Sequence, residues 1–121
     1  MARAYAKSND ELVALLSKLH RAARAQGAPI WQDIAERLER PSRSWAEVNL
    51  SRIARVAPKG ATVLVPGKVL GAGAITHAVT VAAFAFSGAA ESKIKAAGGS
   101  ALTIAQLVEK SPKGSNVKIV A

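Results

Sequence analysis

The most constraining feature of this sequence is a long uncharged stretch, since residues 69–90 contain no formally charged side chain. By length alone, such a stretch could cross a lipid bilayer. Gly71, Gly73, His77 and Thr80 interrupt it, however, and many of its other residues are Ala, Gly or Val. Glycine-rich turn chemistry divides the stretch into short segments, which suit a buried sheet better than a membrane helix. We therefore expect two buried strands and a turn here, and no membrane partner.

Strand and helix patterns alternate in the second half of the chain. Residues 62–65 have the β-branched composition of a strand that Pro66-Gly67 is expected to end, and residues 79–86 are an apolar run of strand length. Thr103 is expected to cap a helix. The remaining predicted elements are helices over residues 89–97 and 104–110 and short strands over residues 100–102 and 117–120. Such alternation is typical of parallel strands joined by crossover helices.

The first half of the chain has helical patterns instead. Ser8 and Glu11 have capping-box spacing before an apolar periodicity that ends at Gly27. A second helix is expected between Pro29 and Pro41, supported by the i,i+4 pairs Asp33–Arg37 and Glu36–Arg40. Ser44 and Glu47 have the spacing of a further capping box, and residues 51–56 are predicted as a short helix with Ile53 inward and Arg52 and Arg55 outward.

These patterns predict an α/β fold in which a helical, basic N-terminal half packs on a small mixed or parallel sheet with crossover helices. The chain has 121 residues, which suits a single domain. No linker separates the two halves, so residues 1–121 are predicted to form one domain. Residues 1–8 are predicted to form a flexible basic arm of that domain.

Charge is the main indication of function. The sequence has 17 Lys and Arg against 8 Asp and Glu, a formal net charge of +9, which is typical of a domain that binds a nucleic acid. Arginine forks bind phosphates, and an exposed indole can stack on a base. For Trp45, core packing remains an open alternative to stacking. The candidate RNA-binding residues are Arg3, Lys7, Arg21, Arg24, Arg40, Arg43, Trp45, Arg52, Arg55, Lys59, Lys68 and Lys113.

Catalytic and metal chemistry find little support in the sequence. It contains no cysteine, which excludes disulfides and thiolate metal sites and suits a cytoplasmic protein. His20 and His77 lack neighbouring ligands at zinc spacing and are interpreted as structural or surface residues. Pro66-Gly67-Lys68 fails as a phosphate-binding loop, since the preceding glycine and the following Ser or Thr are missing. We expect no enzyme activity, no cofactor, no metal and no small-molecule substrate. A basic chromosomal DNA-binding protein remains the alternative function.

Several motifs in order along the chain resemble one protein family. They are APIWQDIAERLERPSRSWAEVNLSRI (28–53), VPGKVLGAG (65–73), VTVAAFAFS (79–87), AGG (97–99) and SPKGSNV (111–117). From about Ser8 to Val120, the sequence is similar to the large-subunit ribosomal protein family called eighteen-e of archaea and eukaryotes, which is related to bacterial large-subunit protein fifteen. The short length and the lack of basic extensions are typical of its archaeal members.

The resemblance implies a structural role in the cytoplasmic ribosome, with large-subunit ribosomal RNA and neighbouring ribosomal proteins as partners. It also implies an irregularly wound α/β fold. The basic loop of the family corresponds to residues 40–47, where Trp45 stands in place of a basic residue and suits stacking rather than a charge contact. The match at Pro66-Gly67-Lys68 implies a lysine at a strand end near a phosphate.

Overall fold

The computed structural model describes residues 9–121. The arm predicted for residues 1–8 and the cap predicted at Ser8 lie outside this part of the chain. The described residues form five α-helices and five strands. In chain order they are α1 (Asn9–Gln26), α2 (Pro29–Leu38), β1 (Ala46–Asn49), α3 (Leu50–Val56), β2 (Thr62–Leu70), β3 (Thr80–Phe86), α4 (Gly88–Ala96), β4 (Ser100–Thr103), α5 (Ile104–Lys110) and β5 (Val117–Ile119).

The strands form one sheet in which every described pair is parallel. The order is β1-β2-β3-β4, and β5 also pairs with β2. β5 pairs with residues 62–64 at the start of β2, whereas β1 pairs with residues 67–70 at its end. Since β3 occupies the other side of β2, β1 and β5 lie end to end along one edge.

Three successive connections cover one face of the sheet. α3 joins β1 to β2, residues 71–79 join β2 to β3, and α4 joins β3 to β4, so that Ile53, Ile75 and Ile94 share one buried cluster. α5 returns from β4 to β5 in the opposite direction, and its Ile104 packs in the cluster on the other face. The α5 connection thus differs from the other three both in its direction across the sheet and in the face it covers. Because the two differences cancel, every crossover has the same hand, as the rule for right-handed crossovers requires.

The sheet is therefore the middle of three layers. Val63 and Val65 pack with α3 and α4, whereas Leu64 between them packs with α1, α2 and α5, as the two-residue period of a strand dictates. The predicted α/β class and parallel sheet are confirmed. The helices α1 and α2 pack on the sheet as expected, but α3 lies on the opposite face.

The prediction that Pro66-Gly67 ends a strand is wrong, because β2 continues to Leu70. The pairing of β2 with β3 shifts register between Val65 and Lys68, and such an irregularity accommodates a residue without a backbone N–H. A Cβ atom on Gly67 would lie 2.1 Å from the carbonyl oxygen of Ala46. The Pro-Gly pair therefore marks an irregular register and a close approach of β1 to β2.

Two further local predictions are corrected by this topology. The capping box expected at Ser44 and Glu47 is wrong, because residues 46–49 form β1. Of the two buried strands expected within residues 69–90, β3 lies there completely and β2 ends there. The turn expected between them is instead the crossover over residues 71–79, since parallel strands cannot be joined by a tight turn. In the described part of the chain, no helix has both the length and the apolar character to cross a membrane.

Candidate nucleic-acid interface

Nearly all of the predicted RNA-binding cations that the structure describes are exposed. The exposed ones are Arg21, Arg24, Arg40, Arg43, Arg52, Arg55, Lys59 and Lys113. Lys68 is half-buried and lies within β2, not at the strand end where it was expected, because β2 runs on to Leu70. Arg3 and Lys7 lie outside the described residues.

The exposed cations fall into three groups on different parts of the fold, with Lys113 apart from them in the α5–β5 connection. The groups are the edge arginines (Arg40 and Arg43), the α3 cations (Arg52, Arg55 and Lys59) and the α1 arginines (Arg21 and Arg24). Because α1 and α3 pack on opposite faces of the sheet, the structure does not bring all of these residues into one patch. The edge arginines lie between α2 and the edge strand β1.

The edge arginines extend from an ordered connection. α2 ends at Leu38, and Pro41 cannot continue a helix. Residues 42–44 then form a single 3-10 turn, in which the Ser44 N–H donates to the carbonyl oxygen of Pro41 at 2.8 Å. The Trp45 N–H donates to the carbonyl oxygen of Ser42 at 3.1 Å, so two backbone hydrogen bonds hold the turn that carries Arg43.

Trp45 is a core residue. Its side chain is 8% exposed, and its ring packs edge-on against Phe84 with the centroids 4.8 Å apart. The indole N–H donates to the carbonyl oxygen of Arg40 at 2.9 Å. The packing alternative is confirmed, and the expectation of an exposed indole for base stacking is wrong, because the ring fills the space between the α2–β1 connection and β3. Trp45 instead fixes the backbone that carries Arg40.

Two of the α3 cations, Arg52 and Arg55, share one side of a short helix. α3 buries Leu50 and Ile53 and exposes Arg52 and Arg55, as the sequence pattern predicted. Helical residues three positions apart are neighbours on the surface, so the two guanidinium groups can reach the same ligand. Lys59 follows in the connection to β2.

None of the predicted cations within residues 10–121 belongs to an ion pair. The ion pairs of this part of the chain are Lys18–Glu109, His20–Glu39 (2.9 Å), Arg37–Asp33 (3.0 Å) and Lys95–Glu91 (3.2 Å). The Asp33–Arg37 prediction is confirmed. The Glu36–Arg40 prediction is wrong, because α2 ends before Arg40 and Glu36 instead accepts a hydrogen bond from Gln32 at 3.0 Å.

Two lysines that sequence reasoning did not single out serve the fold. Lys93 of α4 donates from Nζ to the carbonyl oxygens of Gly71 and Gly73, at 2.7 and 2.9 Å, and so holds the β2–β3 crossover. Lys118 of β5 donates to the carbonyl oxygen of Val56 at 3.2 Å. No sequence signal distinguishes them from surface lysines, because their acceptors are distant along the chain.

His20 joins α1 to α2 through both ring nitrogens. Nδ1 lies 3.0 Å from Oε1 of Gln32, and Nε2 lies 2.9 Å from Oε2 of Glu39. Because both ring nitrogens face acceptor oxygens, the geometry suits the doubly protonated ring. The hydrogen bonds that His20 donates to Glu39 and then to Gln32 raise its pKa above the usual 6.5, although desolvation and the charge of Arg24 act in the opposite direction.

We expect the protein to lose stability as this histidine deprotonates. A raised folded-state pKa contributes stability that is complete below the unfolded value and is lost as the pH rises through the folded value. The free energy of unfolding, measured in urea from about pH 5 to pH 8, should therefore decrease more in the wild type than in a His20→Ala variant. Equal decreases in both proteins would show that His20 does not link protonation to folding.

The described residues offer little for catalysis. Within residues 9–121, no group of three His, Asp or Glu side chains could hold a metal ion. His77 places Nε2 2.7 Å from the carbonyl oxygen of Ala57, so it has the structural role that was predicted. The exposed cations are therefore the main chemical feature of this surface.

Comparisons with known proteins extend over the whole chain. The profile of a family described as ribosomal protein 60S L18 and 50S L18e matches residues 1–121. The large ribosomal subunit protein eL18 of Methanoregula boonei is 49% identical over 120 residues, covering 99% of both chains. The protein of the same name from Haloarcula marismortui is 50% identical over 114 residues, covering 94% of this chain and 97% of the relative. These matches confirm the resemblance found in the sequence motifs, and the chain belongs to the ribosomal protein 60S L18 and 50S L18e family.

Proposed function

We propose that this protein stabilises folded large-subunit ribosomal RNA by binding RNA phosphates with its exposed arginines and lysines. As a member of its family, it is a protein of the large subunit of the cytoplasmic ribosome and is not an enzyme. Its partners are accordingly ribosomal RNA and other ribosomal proteins. We propose that the exposed cations make the contacts with RNA, and that residues 1–121 act as a single domain.

The observation that carries the proposal is the exposure of unpaired cations. The edge arginines, the α3 cations and the α1 arginines all face solvent, and none is neutralised by a carboxylate of the described chain. The carboxylates Asp33, Glu39, Glu91 and Glu109 are engaged with other cations. Seven exposed cations without an ion-pair partner therefore remain available to an external polyanion, which would release counterions on binding.

The distribution of these cations supports contact with more than one RNA segment. The α1 arginines and the α3 cations belong to helices on opposite faces of the sheet, with the edge arginines between them. A single straight RNA helix cannot lie against both faces of a three-layer domain. We therefore propose that the protein bridges separate RNA segments and recognises the shape in which they are held.

The remaining candidates extend this surface. Arg3 and Lys7 lie outside the described residues, and we propose that they add further phosphate contacts. Lys113 is exposed in the α5–β5 connection and would contribute a separate contact. Lys68 is half-buried and lies in register with Glu47 of β1, so its contribution should be smaller than that of the edge arginines.

A triple variant, Arg43→Ala/Arg52→Ala/Arg55→Ala, should bind large-subunit RNA more weakly and with a shallower salt dependence. Each lost phosphate contact reduces the slope of log K against log salt by about 0.7 to 0.9, so the slope should decrease by roughly 2 to 3. The slope can be measured by filter binding to a transcript of the large-subunit RNA over a range of about 50 to 200 mM salt.

A charge-matched control is the variant Lys93→Ala/Lys95→Ala/Lys118→Ala. It also removes three positive charges, but these lysines have acceptors or an acidic partner within the protein. Its slope should change much less than that of the arginine variant, provided that circular dichroism shows both variants folded. The proposal fails if the arginine variant keeps the wild-type salt slope, or if the slope decreases by the same amount in both variants.

Chromosomal DNA remains the alternative ligand that positive charge alone permits. Membership in a ribosomal protein family favours RNA, and no specific contact in the described residues favours DNA. Treatment of native complexes with RNase should release the protein, whereas release by DNase alone would support the alternative.

A further inference from the structure

A small cavity opens where β1 and β5 meet along the edge of β2. β5 pairs with residues 62–64 of β2, and β1 pairs with residues 67–70. Val65 and Pro66 therefore lie opposite the gap between the two edge strands. Pro66 has no backbone N–H to leave without an acceptor. We call this cavity the edge notch.

The residues that line the edge notch include two arginines and a serine. The cavity has a volume of about 270 Å³ and is lined by Arg37, Arg40, Ser44, Ala46, Pro66 and Ala121, among others. Its volume is below the roughly 300–1,000 Å³ of sites that enclose a whole small molecule. A cavity of this size suits one group of a larger chain that continues outside it.

The two arginines of the notch have donors to spare. Arg37 uses Nε to bond Asp33 at 3.0 Å, and its two terminal nitrogens donate no other hydrogen bond within the described chain. Arg40 forms no ion pair with any carboxylate of residues 10–121, Ala121 included. Asp33 therefore neutralises the local positive charge only in part, and the carboxylate of Ala121, which also lines the notch, forms no ion pair with either arginine.

The surrounding structure fixes the backbone from which Arg40 and Ser44 extend. The indole N–H of Trp45 holds the carbonyl oxygen of Arg40 at 2.9 Å, and the N–H of Ser44 closes the 3-10 turn on Pro41 at 2.8 Å. A backbone that is ordered before binding has less entropy to lose when a ligand arrives.

We propose that the edge notch is a binding site for one phosphodiester group of the ribosomal RNA. Arg37 and Arg40 donate to the non-bridging oxygens, since planar guanidinium groups match phosphate geometry, and the Ser44 hydroxyl supplies a further donor. The inference rests on the proposed function, and it adds Arg37 to the RNA-binding residues.

The test is an ethylation-interference experiment, because ethylation turns a phosphodiester into a neutral triester. The probe is a transcript of the large-subunit RNA carrying about one ethylated phosphate per molecule. For the wild type, ethylation should interfere at several phosphates, and at the one bound in the edge notch it should weaken binding by roughly tenfold or more, as expected for a lost hydrogen bond to a charged group. In an Arg37→Gln/Arg40→Gln variant that position should no longer interfere, and the salt slope should decrease by about 1 to 2.

A charge-matched control separates this site from general charge effects. Arg21→Gln/Arg24→Gln also removes two cations, on α1, and should reduce affinity while keeping the interference at the same phosphate. Arg37→Gln also breaks the ion pair with Asp33, so the single variant Arg40→Gln provides a second measurement. It should weaken the interference at the same phosphate.

The outcomes distinguish the two proposals. If the wild type does not bind the transcript, the proposed RNA-binding function itself fails. If the wild type binds but the Arg37→Gln/Arg40→Gln variant, folded by circular dichroism, keeps every interfering phosphate, then RNA is bound elsewhere and the edge notch is not a phosphate site.

Discussion

Replacing Trp31 with Ala should lower the free energy of unfolding by about 3–5 kcal/mol. Trp31 has the largest fully buried side chain of the described residues, and its indole N–H donates to the carbonyl oxygen of Pro112 at 2.7 Å. The substitution leaves a cavity and removes the donor to that carbonyl. Single domains have only about 5–15 kcal/mol of stability, so the melting temperature should fall by something on the order of 10–20 °C.

Two controls separate the lost volume from the lost hydrogen bond. Trp31→Phe keeps most of the apolar ring but removes the donor, and should cost about 1–3 kcal/mol. Val13→Ala shortens a side chain that is 62% exposed and should change stability by no more than about 0.5 kcal/mol. Urea and thermal unfolding, followed by circular dichroism, measure all three variants. If Trp31→Ala were as stable as Val13→Ala, the ring would not connect α2 to the α5–β5 connection.

Elements with strong local signals were predictable from the sequence. Thr103 caps α5, because its hydroxyl accepts from the Gln106 N–H at 3.1 Å and the Gln106 side chain accepts from the Thr103 N–H at 2.9 Å. The uncharged apolar run at residues 79–86 predicted β3, which spans Thr80–Phe86. In both cases the determining contacts lie within a few residues, so the local sequence contains the information.

Elements that depend on distant partners were not predictable in this way. β1 has four residues of which only Val48 is buried, and it is a strand because it pairs with residues 67–70. Pro66 and Gly67 would end a strand by local rules. They lie inside β2 because its register with β3 shifts there and because β1 approaches the backbone of Gly67 closely.

In the candidate interface, too, features set by local contacts were predictable and features set by distant contacts were not. The exposure of Arg52 and Arg55 followed from the helical period of α3, which buries Ile53 between them. The burial of Trp45 could not be decided, since its partner Phe84 is distant in sequence. Arg37 was interpreted only as a partner of Asp33, because nothing local shows that the edge notch places it beside Arg40. Sequence therefore indicated which cations are exposed, and the topology determines how they are grouped.

A Gly67→Ala substitution should be among the most damaging single-methyl changes in this protein. A Cβ atom at this position would lie 2.1 Å from the carbonyl oxygen and 2.9 Å from the nitrogen of Ala46. Both atoms belong to backbone, so relief requires β1 to move away from β2. Overpacking of a well-packed site costs about 1–3 kcal/mol and occasionally more, and we expect a loss of about 3 kcal/mol or more in chemical denaturation.

The matched control is Gly88→Ala, since a Cβ atom on Gly88 meets nothing within 4 Å. Adding the same methyl group there, in the first turn of α4, should be neutral or stabilise the protein by up to about 1 kcal/mol. Hydrogen exchange should show that Gly67→Ala loses protection mainly in β1, which follows the edge arginines and borders the edge notch. RNA affinity should then decrease together with that protection. Equal stability of the two alanine variants would mean that β1 can shift at little cost, and that the close approach to Gly67 does not determine the position of this edge.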